Sequence, residues 1–228
     1  MPPGPPPSQP EPASPGWLGQ ESGRKLLGEV QRMVTPELTR VFGQHGLFLR
    51  PTGGDPTELS GNMLAHVLSL HRQDQQLSGQ LRCTDAELPI CSDCVSLVYS
   101  LFMLEHCQDP LAMLQEVARV LKPEGTALII SLNPWSLAQL NWAAPGRMTS
   151  ASSVEKLATE AGLEVVRRQF VGPFWPAGPA LVPHSPPRRW YDRFRAASLL
   201  VCRHREAGLT PLRKAPSTVS LRPGMSAG

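Results

Sequence analysis

The sequence has no long hydrophobic run, few cysteines and little net charge, and each shortage excludes a class of protein. The apolar stretch at residues 127–130 is far too short to cross a bilayer, so we expect no membrane-spanning segment. The residues after Met1 lack the basic and apolar regions of a secretory signal. Five cysteines argue against a secreted disulfide scaffold, and a net charge of +3 does not by itself indicate nucleic-acid binding. We therefore expect a cytoplasmic globular protein with one domain and two tails.

Proline and positive charge are concentrated at the two ends of the chain. Eight of the 25 prolines lie within residues 1–16, which predict a disordered, polyproline-like arm. Residues 188–228 hold nine Arg and Lys against two acidic residues, whereas residues 1–187 sum to −4. We expect one domain over residues 17–205, followed by a disordered basic tail at 206–228. That tail is either a solvated end or a surface for an acidic partner, and it leaves a nucleic-acid partner open, although the rest of the sequence favours none.

Between these ends, strand and helix patterns alternate. In the first half the spacing predicts helices at 23–34, from Thr35-Pro36 and at 56–63, and strands at 46–50, 67–71 and 79–83. In the second half it predicts strands at 95–99, 126–132, 163–170 and 197–202, a helix capped by Asp109, and a helix opened by a capping box at 152–155. Strands alternating with helices predict an α/β fold with a doubly wound, mostly parallel sheet.

Two features of spacing refine this fold. The last two strands have no helix between them, so we expect them to pair antiparallel at one edge of the sheet. Only 34 residues separate Arg50 from Asp85, whereas a helix, strand, helix and strand with short loops need about 45–50. We therefore expect the helix between the second and third strands to be shortened or missing, and residues 72–78 to be a bare loop.

Three segments in the middle of the chain carry a specific pattern. They are Ala86-Glu87-Leu88-Pro89, Glu105-His106-Cys107-Gln108-Asp109-Pro110 and Leu121-Lys122-Pro123-Glu124-Gly125. In this order and spacing they resemble the class I S-adenosylmethionine-dependent methyltransferases of the small-molecule type called methyltransferase type 11. The resemblance covers residues 17–213 and is strongest at 84–137. Residues 133–137 and 208–211 look closer to a proteobacterial subfamily.

The resemblance implies a Rossmann-like fold, S-adenosylmethionine as cofactor, and methyl transfer to an unidentified acceptor that we expect to be a small molecule. Parallel sheets of this kind bind ligands outside the carboxyl ends of their strands. By resemblance, Asp85 and Ala86 lie beside the adenine ring, Tyr99 and Ser100 flank the cofactor, and Glu105 and His106 lie near its sulfonium as candidate catalytic bases. Plainer alternatives stay open, since Asp85 could cap a turn and His106 could bind backbone.

The first strand departs from the family pattern. The family has an acidic residue and then a glycine-rich turn that lets the backbone approach the cofactor. Here Arg50-Pro51 displaces the acid and Gly53-Gly54 survives, as either a cofactor cradle or an ordinary loop. The acid that grips the cofactor ribose has Asp74 as its nearest candidate. A non-catalytic, methyltransferase-like binding module with a degenerate cofactor site is therefore the alternative function.

Three other motifs have plainer alternatives. Cys83, Cys91, Cys94 and Cys107 would be separated by the strand at 95–99, so we expect small buried cysteines and no metal site. The segment Asn133-Pro134-Trp135 is either a substrate-rim loop, with Trp135 and Trp142 stacking, or lid packing. Residues 188–195 interleave basic and aromatic side chains, which suits RNA stacking or an amphipathic surface helix.

Overall fold

The computed structural model describes residues 17–54, 58–137, 147–173 and 190–205, in which helices cover both faces of a sheet. The helices are α1 (Glu21–Leu38), α2 (Pro110–Val120) and α3 (Ala151–Glu160), with short 3-10 helices at Trp17–Gly19 and Trp190–Phe194. The strands are β1 (Phe42–Arg50), β2 (Met63–Gln73), β3 (Gln76–Gly79), β4 (Val95–Leu101), β5 (Leu121–Leu132), β6 (Leu163–Val171) and β7 (Ala197–His204). Within these ranges no helix has the length and apolar character needed to cross a membrane.

The seven strands lie in the order β3-β2-β1-β4-β5-β7-β6. β2, β1, β4 and β5 are parallel, whereas β7 runs antiparallel to both β5 and β6. The predicted α/β class and the antiparallel pairing of the last two strands are confirmed. The reversed strand of that pair is β7, one position inside the edge strand β6. The order switches direction between β1 and β4, the point at which doubly wound sheets bind ligands.

Alternation along each strand divides the core into two layers. Leu47 and Leu49 of β1 face α2 and α3, whereas Phe48 between them faces α1. β4 is buried along its whole length, because helices cover both of its faces; such strands read as continuous apolar runs. This explains why the central strands were predictable from short hydrophobic runs.

The connection between β2 and β3 differs in detail from the prediction. A helix is missing there, as predicted, but residues 72–78 are not a bare loop. β2 continues to Gln73, and β3 pairs back on it antiparallel after a turn at Asp74 and Gln75. Asp74 adopts φ +55°, a left-handed conformation in which Asp is enriched. Because of this tight hairpin, the third strand ends at Gly79. The prediction had placed the first residue of that strand there.

Of the helix predicted at 56–63, the structure describes residues 58–63, and none of them is helical. The prediction is wrong for this part. Met63 already begins β2. The Asn62 side chain donates to the Leu59 carbonyl at 2.6 Å and accepts the Leu64 N–H at 2.9 Å. Local bonds of this kind offer the backbone an alternative to a helix.

One helix, α1, replaces the two helices predicted at 23–34 and from Thr35. The Thr35 hydroxyl donates to the Gln31 carbonyl at 2.7 Å, and the Thr39 N–H donates to the Thr35 carbonyl at 3.0 Å. The helix therefore continues through Pro36 and ends at Leu38. Because proline has no N–H, one backbone hydrogen bond is lost there, but no new helix begins.

Candidate active site

The carboxyl ends of β1, β2 and β4 meet at one side of the sheet, which we call the carboxyl edge. The register pairs Arg50 of β1 with His71 of β2, and Leu49 with Ser100 of β4. The chain leaves each of these strands into a turn on this side. Because ligands bind doubly wound sheets here, beside the switch in strand order, the candidate site is built from these turns.

Arg50 shapes the glycine turn after β1. Its guanidinium donates to the Gly54 carbonyl at 2.7 Å and to the Gly53 carbonyl at 3.4 Å. A Cβ added at Gly53 would lie 3.3 Å from two atoms of the His71 ring, so little space is left for a side chain. The predicted glycine turn thus lies at the carboxyl edge, folded around a buried cation where the family has an acid.

Asp85 forms an ion pair with Arg72, a residue that the sequence analysis did not single out. The Arg72 guanidinium donates to the Asp85 carboxylate, and the two side chains are 7% and 12% exposed. A bridge between Thr84 and Glu87 closes a tight turn, with Ala86 exposed at its tip. Arg72 was missed because its partner is 13 residues away across a hairpin, and no local pattern marks such a pair.

The turn after β4 buries the carboxyl group of Glu105. Glu105 is 4% exposed, and its Oε1 accepts the backbone N–H of Leu132. Burial raises the pKa of this carboxyl to about 7, although the Leu132 N–H favours the ionised form and acts in the opposite direction. The group can therefore take up or release a proton near neutral pH.

The Asp85 turn and the Glu105 turn lie together. Burial raises the pKa of the Cys107 thiol, and the nearby Asp85 carboxylate raises it further. Burial also lowers the pKa of His106, and the charge of Arg72 adds to this effect. The Gln108 side chain donates to Gln75 at 2.7 Å, which ties the same turn to the β2–β3 hairpin. Residues far apart in the sequence thus surround one site.

Tyr99 and Ser100 project to opposite faces of β4. The Tyr99 ring packs against Phe48 in the core below α1, with ring centroids 5.2 Å apart. Ser100 is fully buried on the other face. Of the two predicted cofactor contacts, Ser100 offers a polar atom at the carboxyl edge, whereas the Tyr99 side chain fills the core.

Comparison with known proteins finds similarity to methyltransferases. A family model described as a methyltransferase domain matches residues 52–129. The chain is 39% identical over 84 residues to the malonyl-[acyl-carrier protein] O-methyltransferase of Alcanivorax borkumensis, covering 36% of this chain and 28% of that protein. It is 31% identical over 107 residues to the biotin biosynthesis bifunctional protein BioHC of Cellvibrio japonicus, covering 43% and 21%. The chain thus spans between 21% and 28% of the length of these two curated relatives.

The whole sheet also matches a solved structure. The S-adenosylmethionine-dependent methyltransferase from Aquifex aeolicus superposes with a TM-score of 0.56 at 16% identity, covering 82% of this chain and 95% of that chain. This likeness shows a Rossmann-like methyltransferase fold. The chain is thus similar to the class I S-adenosylmethionine-dependent methyltransferases, most directly over residues 52–129. S-adenosylmethionine is the cofactor that this similarity implies, and nothing in these matches favours the non-catalytic module.

The polar atoms at the carboxyl edge suit a nucleoside cofactor. Among the described residues, Asp85 Oδ1, Ser100 Oγ, Glu105 Oε2, His71 Nδ1 and His106 Nε2 are buried without a hydrogen-bond partner. Carboxylate, hydroxyl and imidazole groups suit the hydroxyl and amino groups of adenosine. The fit departs from the family at the end of β1, where the Arg50 cation lies in place of an acid and would repel the ammonium group of the cofactor.

Asn133 holds the methyltransferase fold together. Its Nδ2 donates to the carbonyls of Arg193 and Arg195 at 2.6 and 2.8 Å. These bonds favour the packing alternative for Asn133, whereas Trp135 beside it is 68% exposed. Trp142 lies outside the described residues, as do the tails at 1–16 and 206–228 and residues 188 and 189. The described part of 188–195 contains a short 3-10 helix at Trp190–Phe194.

The four clustered cysteines do not share one site. Cys94 directly precedes β4 and Cys107 follows it, and Cys91 is joined to Cys94 by a disulfide. Cys83 and Cys107 are free. The expectation of small buried cysteines holds for Cys107, whereas Cys83 and Cys94 are half-buried and Cys91 is exposed. In the part of the chain that the structure describes, no group of three or more His, Cys, Asp or Glu could hold a metal ion.

Two surface cavities lie away from the carboxyl edge. One of about 600 Å³ is lined by Arg40, Phe42 and Lys122, and one of about 640 Å³ by His45 and His66. Both open near the amino ends of the parallel strands. We place the candidate site at the opposite edge because the unpartnered polar groups and the perturbed pKa values converge there, and cavity size alone carries no chemistry.

Proposed function

We propose that this protein binds S-adenosylmethionine at the carboxyl edge and transfers its methyl group to a small-molecule acceptor. The observation that carries the proposal is the convergence of the Asp85 turn and the Glu105–His106 turn around buried, unpartnered polar atoms. When bound, the cofactor supplies a methyl group activated by positive sulfur. Holding methyl and nucleophile in line then supplies much of the rate. The catalytic unit that we propose is residues 17–205.

The chain's own residues divide into two groups. Asp85, held by Arg72, and Ala86 form the adenine side, with Ser100 and the backbone of Gly53 and Gly54 completing the cofactor contacts. Glu105 and His106 form the proton-accepting side. The pKa of Glu105 is about 7, and the pKa of His106 is lowered by burial, so at neutral pH both can accept a proton from an acceptor that must lose one.

Titration of the full chain with S-adenosylhomocysteine tests cofactor binding. Calorimetry is expected to show one site, and a ligand that binds the folded state raises thermal stability by RT ln(1 + [L]/Kd). D85N removes one charge at the adenine side and should weaken binding about tenfold or more, as expected for a bond to a charged group. E155Q is the matched control, because Glu155 pairs with Arg168 on the exposed side of α3.

Two results would contradict the proposal. A folded wild type that gives neither heat nor a thermal shift at millimolar S-adenosylhomocysteine would remove cofactor binding and restore the non-catalytic module. D85N binding as tightly as wild type, with both proteins folded, would remove Asp85 from the adenine side. Methyl transfer itself is measured as S-adenosylhomocysteine release with panels of phenols, carboxylic acids and amines; release with none of them would overturn the small-molecule acceptor.

A further inference from the structure

Two residues of α2, Glu116 and Arg119, grip the loop that follows the Asp85 turn. The Arg119 guanidinium binds the Glu116 carboxylate through two nitrogens, at 2.7 and 2.8 Å. The same guanidinium donates to the carbonyls of Leu88 and Ile90 at 3.0 and 2.9 Å. The Glu116 carboxylate in turn accepts the Leu88 N–H at 2.8 Å. Both backbone groups of Leu88 are therefore held by this one pair.

The pair, which we call the clamp, is held in one geometry although it lies near the surface. The Glu116 side chain is 15% exposed and that of Arg119 is 36% exposed, and the pKa of Glu116 is lowered chiefly by its hydrogen bond with Arg119. A planar guanidinium in a two-point pair has its remaining donors fixed in direction. The Leu88 side chain is 5% exposed, so the loop is also anchored by its apolar side chain.

The clamped loop is the continuation of the adenine-side turn. Ala86 and Asp85 precede Leu88 by two and three residues, and the bridge between Thr84 and Glu87 leaves little slack between them. On its other side Asp85 is held by Arg72 of β2. The turn is thus fixed at two points, one on β2 and one on α2.

We propose that Glu116 and Arg119 are positioning residues that set the affinity for the nucleoside by holding the Asp85–Ala86 turn in its binding conformation. This inference rests on the proposed function. When the turn is already ordered in the free protein, binding loses less conformational entropy. The affinity of the protein for the nucleoside is therefore higher. Neither residue touches the nucleoside itself.

The test compares R119A and R119K with R168A in the full chain. Arg168 also pairs with a helix carboxylate, Glu155 at 2.8 Å, and serves as the matched control. We expect R119A to bind S-adenosylhomocysteine at least about tenfold more weakly, because several charge-assisted bonds are lost. R119K keeps the charge but not the two-point geometry, so it should also bind more weakly than wild type. R168A should bind as wild type does.

Hydrogen exchange separates local loosening of this loop from general destabilisation, and the affinity measured beside it shows whether that loosening affects binding. In R119A we expect amide exchange to rise at residues 85–92, Leu88 above all, while α3 stays protected. R119A or R119K, if folded and binding as tightly as wild type, would overturn the clamp. If R119A does not fold, R119K alone decides. A wild type that binds no S-adenosylhomocysteine overturns the proposed function instead, so the two failures are distinguishable.

Discussion

Glu105 shows how a single residue acquires unusual chemistry from its surroundings. The carboxyl group is buried below the turn after β4, where the backbone N–H groups of Leu132 and of Glu105 itself stabilise its charge. These bonds do not compensate for the loss of water, so the neutral form is favoured and the pKa rises to about 7. The neighbouring His106 shifts in the opposite direction for the same reason, because burial disfavours its cation.

E105Q should therefore change how stability depends on pH. The folded state holds a proton on Glu105 that the unfolded chain releases near its ordinary pKa of 4.5, so this group's stabilisation is complete below that pH. It is lost as pH rises through about 7, by roughly 3 kcal/mol in total. Between pH 4.5 and pH 8 the free energy of unfolding of E105Q should therefore rise by about 3 kcal/mol relative to that of the wild type. Urea unfolding of both proteins at each pH measures this difference. Parallel pH profiles for the two proteins would show that the buried carboxyl does not titrate there.

At the scale of elements, local capping decides where helices begin. Asp109 accepts the N–H groups of Leu111 and Ala112 at 3.0 and 3.1 Å, as the Asp-Pro sequence predicted. For α3 the prediction was two residues late. Ser150, not Ser152, is the N-cap and accepts the Ser153 N–H at 3.2 Å. A run of serines offers several possible caps, and burial of Ala151 selects the earlier one.

A pair of serine variants tests this assignment. S150A removes the cap of α3 and should lower the free energy of unfolding by about 1 kcal/mol. S152A removes a hydroxyl from the first turn and should have an effect near zero. Chemical denaturation of both proteins gives the comparison directly. A larger loss in S152A than in S150A would restore the capping box at 152–155.

At the scale of the whole molecule, Asn133 joins parts of the chain that are distant in sequence. It follows β5, and its amide holds the carbonyls of Arg193 and Arg195, some 60 residues later, just before β7. Its own backbone N–H donates to Ala196 at 3.0 Å. Because β7 lies between β5 and β6, these bonds fix the return of the last strand into the sheet.

N133A should therefore destabilise the protein rather than affect a substrate. Asn133 is 1% exposed, and its removal would leave the carbonyls of Arg193 and Arg195 without this donor, at a cost of about 1–3 kcal/mol each. We expect a lower urea midpoint with an unchanged slope, and wild-type affinity for S-adenosylhomocysteine at temperatures where the variant is folded. Unchanged stability would return Asn133 to the substrate-rim interpretation.

The sequence by itself determined the elements whose signals are local. The Asp109 cap, the apolar stripe of α2, the buried runs of β4 and β5 and the missing helix before β3 all follow from neighbouring residues or from chain length, because turns and periods repeat within a few residues. The similarity to methyltransferases was also readable from three short motifs, whereas the roles of Asp85, Glu105 and His106 stay predictions. The unbroken α1, the start of β2 at Met63 and the hairpin after Gln73 were not readable, because Pro36, Asn62 and Asp74 each allow more than one local structure.

Only the tertiary structure decided which of these residues meet. Arg72 reaches Asp85 across a hairpin, Glu105 finds its N–H donor 27 residues away at Leu132, and Arg119 holds a loop about 30 residues before it. Such partners depend on the register of parallel strands and on the helix that packs beside them. No periodic pattern in the sequence indicates which strand or helix supplies these partners. The raised pKa of Glu105 is likewise a consequence of burial, which exists only once the sheet and its helices have packed together.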